Sequence, residues 1–326
     1  MSIVPELQFS SGGTTLEPAA QPVPGKVELL YVGKQLENHL GCPPHQANSA
    51  AIISQFFRLK ENDHLVVFYP HNDHRGELAK IRGDTVEHQK SNYSITNSIN
   101  FHEPPGRTWM LGYTDGIIVD LKATPPAHDH TPLTYVLALR TRDCIVISGF
   151  DGQFAFSVHL SSQLLFGFVK PDQFAGSILK QLFASGVNPQ SSRVWLGPAV
   201  AGVRDRDGHF GCYEYSEDDT RRDGSRLVQC IQREYPKFDI QSFCQPRQVG
   251  QPGGKLDFSW CLMVMGLLQW HGVPEEKIDI SANWCTVCHS GAWYSDRVMR
   301  HDDTPHGEDL YRQRVGNQSL MFVCPK

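Results

Sequence analysis

Between Asp115 and Leu160 the chain reads DGIIVDL, YVLALR, CIVISGF and FAFSVHL, and these four short apolar runs broken by turn residues constrain the fold more than any other feature. They read as successive strands, the last two joined as a hairpin through Asp151 and Gly152. Upstream, HLVVFYP reads as a buried strand stopped by Pro70, and downstream RVWLG, KIDIS and SLMFV read as further strands. Helical spacing interrupts them. Ile52, Ile53, Phe56 and Phe57 predict a helix from Gln46 to about Lys60. Phe174, Ile178, Leu179, Leu182 and Phe183 form one stripe over Asp172 to Ala184, ending at Gly186. A weaker stripe surrounds Leu227, Val228 and Ile231, and a stronger one runs from Asp257 to His271 with Cys261, Leu262, Met265 and Leu268 inward. Strands and helices alternate without a strict βαβ rhythm or an internal repeat. The expected fold is therefore α/β, a single domain with a mixed sheet and flanking helices. Residues 1–25, rich in Gly, Pro, Ser and Thr, read as a flexible tail, 26–326 as the domain, and the polar stretch 84–111 as a loop insertion.

Composition limits the partners. Of 326 residues, 40% are hydrophobic and 20% charged, the profile of a globular protein with a sizeable core. The formal net charge of -5 exerts no general pull on nucleic acid or anionic membrane, so neither is expected as a partner. No run approaches the roughly 18 apolar residues of a spanning helix, and MSIVPELQFSSGG lacks the basic and apolar regions of a signal peptide, so a cytoplasmic location is expected. The nine cysteines are an odd number without secretory features, which favours thiols over a disulfide framework. The oligomeric state is not encoded in any of these features.

Residues 285–295, CTVCHSGAWYS, place Cys285 and Cys288 in a CxxC with a histidine behind it. That pattern suits a metal site, a redox pair or packing. A closed zinc site needs four ligands and no second CxxC exists; a thioredoxin-type pair would open a helix, whereas this one follows a strand. Both cysteines are expected to be packed. Other candidates stand where strands hand over to loops: His159 at the end of FAFSVHL, Cys212 in GHFGCYEY, and His71 and His74 in PHNDHRG.

The ordered series DGIIVDL, LALRTRDCIVIS, FSVHL, VWLGPAVAG, GCYEY, GGKLDFSWCLMVMGLLQWHGVPEEKIDIS and CTVCHSGAWYSDR resembles the laccase-domain family, also called the multicopper polyphenol oxidase or peptidoglycan-editing-factor family. The resemblance covers about Asp115 to Val323, with PHNDHRGEL as counterpart of an earlier QVHG block. It implies a single-domain α/β/α fold with a surface pocket, a zinc-type His/Cys/His site, and purine nucleoside phosphorolysis or adenosine deamination on a small-molecule substrate. Carried over by position, it implies that His159 and Cys212 are site residues and that His74, rather than His71, matches the QVHG histidine.

Several positions depart from the family pattern. HAGWRG is replaced by HLSSQLLFG, so the arginine that would clamp phosphate is missing and phosphorolysis is disfavoured against hydrolysis. No histidine lies between Cys212 and Asp257, and Cys230 is expected to take the place of the second histidine, giving a His159/Cys212/Cys230 zinc site. Asp143, beside Cys144, matches an ADC block and is expected to orient ligands or substrate. Trp293, Tyr294, Arg297 and His71 are the expected substrate contacts. Copper chemistry is not expected, since His128-Asp129-His130 is the only HxH pair and a trinuclear cluster needs several. Two other functions fit the same residues: a tailoring enzyme or oxidoreductase on a phenolic metabolite, and a binding or scaffold protein that has lost catalysis.

Overall fold

A computed structural model describes residues 27–33, 64–68, 76–82, 85–88, 107–111, 114–123, 135–168, 170–204, 212, 214–215, 224–246, 256–293, 295 and 317–323. Their architecture follows from how completely the central strands are covered. Strands β6 (Gly116–Asp120), β8 (Ile145–Phe150) and β9 (Phe154–Leu160) are buried along almost their whole length. Such strands need apolar residues on both faces, which is why they read as continuous runs rather than alternating ones.

These three strands are the centre of a seven-stranded mixed sheet. It is completed by β3 (Leu78–Arg82), β4 (Thr85–His88), β10 (Arg193–Leu196) and β14 (Ile278–Asp279) in the order β14-β10-β8-β9-β6-β3-β4. A second mixed sheet contains β1 (Val27–Val32), β2 (His64–Phe68), β5 (Arg107–Leu111), β7 (Tyr135–Thr141) and β15 (Asn317–Val323), in the order β1-β15-β7-β2-β5. A small third sheet joins β11 (Glu214–Tyr215), β13 (Leu256–Phe258) and β12 (Cys244–Pro246).

The period of two divides the central sheet between two cores. Ile118, Ile145, Ile147, Phe156 and Val158 face helices α1 (Ser162–Phe166), α2 (Ile178–Ala184), α3 (Gly224–Glu234) and α4 (Trp260–Trp270). Ile117, Val119, Val146 and Ala155 face the five-stranded sheet, against Leu137, Leu139 and Met321. Each fully buried Val, Leu, Ile, Phe or Met among them is worth roughly 1.5–3 kcal/mol of transfer free energy. The Phe156 ring lies over its cross-strand partner Gly149, where any Cβ would collide with it. Between the sheets, Ser148 Oγ stands 3.1 Å from Ser157 Oγ and 3.5 Å from Ser319 Oγ, a buried polar seam that satisfies its own hydroxyls.

The expected mixed α/β domain is what the chain forms. The helices predicted within it are shorter at their starts. Gly176, at φ +103°, breaks the stripe predicted from Asp172, so α2 begins only at Ile178 after a 3-10 turn at Pro171–Gln173. Leu256–Phe258 pairs as β13 before α4 starts at Trp260. The stretch 84–111, read as a loop insertion, carries β4 at one end and β5 at the other. The helix expected over Gln46 to Lys60 and the tail 1–25 lie outside the described residues. Among the described residues, no helix is long and apolar enough to cross a membrane.

Where α4 ends, His271 Nε2 lies 3.3 Å from Tyr235 Oη, itself 2.5 Å from Ser177 Oγ. Burial, reinforced by the charge of Lys180, lowers His271 to about 4. The unfolded chain therefore takes up a proton near pH 6.5 that the folded chain refuses until about pH 4, so stability falls as pH drops through that window. Denaturant titrations between pH 7 and 4 should show this loss, roughly 1–3 kcal/mol, and His271→Gln should flatten it.

Candidate functional site

Three chemically active side chains meet where the central strands end. In the β6–β9 register Gly116 pairs with Val158, so the next pair outward is Asp115 and His159, whose backbones are joined by His159 N–H donating to Asp115 O at 2.8 Å. In the β8–β9 register Val146 pairs with His159, and Cys144 lies two residues earlier on the same face. The register thus sets Asp115 beside His159 and Cys144 at the entry of β8, at the end of the strands that face the five-stranded sheet. All of His159 except 2% is buried, as is all of Asp115 except 1%.

Asp115 is held by the chain just before β3: Gly76 N–H donates to its Oδ2 at 2.7 Å and Glu77 N–H at 3.4 Å. Its other oxygen, Oδ1, stands 3.7 Å from His159 Nδ1. Burial alone would lower His159, but the neighbouring Cys144 and the Asp115 carboxylate outweigh it and raise the imidazole to about 9. The site favours a cation on or beside that ring.

A second cluster lies along the adjoining rim. After β10 the chain turns through Gly197–Arg204, and Asn283 staples this turn from within: its Nδ2 donates to Gly197 O at 2.6 Å and its Oδ1 accepts from Val203 N–H at 2.9 Å. Gly202 packs so closely on the Asn283 and Trp284 backbone that no Cβ fits. A parallel bridge then pairs Ala199 with Cys285, and Ala201 is held at φ 55°, a left-handed backbone that a non-glycine residue adopts at a cost. Asp143 ties the two rims together. Its carbonyl accepts from Val200 N–H at 2.9 Å, and its Oδ1 from Thr286 Oγ1–H at 2.7 Å.

The result is a thiol group: the sulfurs of Cys212, Cys285 and Cys288 all lie within 4.8 Å of one another, with Cys212 Sγ 3.6 Å from Cys288 Sγ. Hydrogen bonding to Cys285, burial, and the neighbouring Cys285 and Cys288 raise the Cys212 thiol well above its ordinary range. Among the described residues this is the group of three potential ligands close enough to share a metal ion.

No protein-family model matches the chain, and no curated protein does. Solved structures do. The crystal structure of Bacillus licheniformis hypothetical protein YfiH matches with a TM-score of 0.52 at 16% identity, covering 88% of this chain and 84% of that one. That of YlmD from Geobacillus stearothermophilus matches with a TM-score of 0.51 at 15% identity, covering 88% and 83%. Both are laccase-domain proteins. The chain has the laccase-domain fold.

Within this laccase-domain fold the residues singled out from sequence separate. His159 and Asp143 stand at the strand mouth, and Cys212 stands beside it with Cys285 and Cys288 rather than with Cys230. Cys230 belongs to the buried helical core, where α3 packs against α1, so helical spacing rather than chemistry sets its position. Cys285 and Cys288, expected to be packed, differ from each other: the first is buried and the second exposed, because the turn closed by His289 N–H to Cys285 O at 2.9 Å lifts Cys288 outward. Trp293 covers Gly33 at the end of β1, and Cβ there would lie 2.8 Å from its ring. His71, His74, Tyr294 and Arg297 lie outside the described residues. Asp115 was not singled out, although an Asp-Gly step opening a buried strand is the signal that marks it.

Replacing Asn283 with Ala strands two buried backbone groups and should cost about 1–3 kcal/mol, read from chemical denaturation. Gly202→Ala should cost at least as much, since backbone rather than a flexible side chain occupies the space.

Proposed function

We propose that this chain is a metal-dependent enzyme that acts hydrolytically on a purine nucleoside or a heteroaromatic metabolite of similar size, with His159 and Cys144 at the reactive centre and zinc as the ion. The carrying observation is buried His159 with Asp115 Oδ1 3.7 Å from its Nδ1, and Cys144 just before the strand that pairs with His159. Imidazole nitrogen and thiolate sulfur are both zinc donors, and a carboxylate on the far ring nitrogen is what orients a ligating histidine. The residues fit the ion. Sequence offers a third donor in His74, two residues before Gly76, whose N–H is fixed by Asp115. This arrangement replaces Cys212 and Cys230 as partners of His159.

A zinc ion with an open position supplies a water that deprotonates near neutral pH. The remaining work belongs to the chain. Asp115 holds the imidazole in one orientation, and the sheet interface keeps bulk water from its buried side. Asp143, through Thr286 and Val200, fixes the turn that presents Cys144. Hydrolytic deamination is favoured over phosphorolysis. The residues that follow His159, Leu160 to Phe166, carry no cation to clamp phosphate, and Ser162 to Phe166 are buried as α1.

Turnover of a nucleoside panel by zinc-supplied protein, with metal content measured alongside, tests the proposal. His159→Gln and Cys144→Ser should each lower turnover by ~100-fold or more, and Asp115→Asn should weaken metal retention by ~10–100-fold. Variants that keep both metal and turnover overturn it, as does metal-loaded protein inactive on every nucleoside and heteroaromatic offered.

A further inference from the structure

The thiol group at Cys212, Cys285 and Cys288 lies outside the His159 centre, and nothing in the proposed reaction uses it. We propose that it is a second metal site, a three-thiolate site for zinc that clamps the Cys212 segment to the turn after Asn283. It is independent of the activity proposed for His159.

The spacing argues first. Zinc–thiolate bonds of about 2.3 Å in tetrahedral geometry put the sulfurs about 3.8 Å apart. Here Cys212 Sγ and Cys288 Sγ are 3.6 Å apart, and all three sulfurs lie within 4.8 Å of one another. Small contractions bring the triangle to the ion's size.

Packing does not account for the arrangement. A buried thiol behaves as a small apolar group, which suits Cys285 at 5% exposure. Cys288 is exposed and Cys212 only half-buried, yet both turn their sulfurs to the same point. A disulfide does not account for it either, since an S–S bond is about 2.05 Å and joins two sulfurs, leaving the third unexplained.

The scaffold around the group is rigid. Cys285 is paired with Ala199 in a parallel bridge, Thr286 N–H donates to Ala199 O at 3.0 Å, and His289 N–H closes the CxxC turn on Cys285 O at 2.9 Å. Two ligands therefore come from one preformed turn. The third, Cys212, comes from 76 positions before Cys288, so the ion joins two distant stretches of chain. Cys288 is exposed, so water would complete the coordination of a bound ion. Each thiol that binds does so as thiolate and releases its proton to solvent.

Cobalt(II) titration of the reduced full-length chain tests this, carried out on a His159→Gln/Cys144→Ser background so that the other centre offers no thiolate. One equivalent should produce thiolate-to-cobalt charge-transfer absorption, which zinc should then displace. Adding Cys212→Ser or Cys288→Ser should remove that absorption and weaken zinc binding by ~100-fold or more, while circular dichroism stays unchanged. Zinc should also raise the melting temperature of that background protein and not of the same protein carrying Cys212→Ser. Absorption that survives both serine substitutions overturns the proposal. So does a Cys212–Cys288 disulfide found by non-reducing peptide mapping of protein prepared with a thiol reductant, or folded protein that takes up no cobalt.

Discussion

Burial of the β8–β9 hairpin on both of its faces is the constraint from which the rest of the molecule follows. One face is taken by the helices and the other by the five-stranded sheet, so side chains along the hairpin have almost no route to water. Polar chemistry is pushed to the strand ends, where backbone pairing still fixes position but solvent and neighbouring turns are within reach. Asp115, Cys144 and His159 occupy those ends. Their mutual placement is a by-product of register, and a one-residue slip would turn His159 to the helical side.

The two clusters are held by different means. His159 is fixed by strand pairing and a buried carboxylate, whereas the thiols depend on turns stapled by Asn283, Asp143 and the Ala199–Cys285 bridge. Turns without regular secondary structure owe their shape to such specific bonds. The left-handed Ala201 and the closely packed Gly202 show how tightly that segment is drawn in.

The strands were legible because double burial writes itself into sequence as unbroken apolar runs, and His159 was legible because it terminates one of them. Helix starts were less so. A hydrophobic stripe does not record that Gly176 adopts a left-handed backbone or that Leu256–Phe258 finds strand partners. The grouping of the three thiols was hidden for a different reason: CTVC shows only its local half, and Cys212 arrives through a contact 76 positions apart in the chain. Cys230 was drawn in by its place in the family pattern, but the α3 stripe that includes Leu227 and Ile231 already claimed it for the core.

The serine seam between the sheets carries one more consequence. Two apolar sheet faces in contact resist separation far better than they resist sliding, because methyl groups exchange one neighbour for another at little cost. Ser148, Ser157 and Ser319 act as registration pins at that plane, since any offset of β15 against β8 would draw Ser319 away from Ser148 and leave hydroxyls facing hydrocarbon. Because His159 lies on the same face of β9 as Ser157, the pins also set which part of the second sheet roofs the strand mouth. Three small hydroxyls thereby convert a merely cohesive sandwich into one with a single alignment.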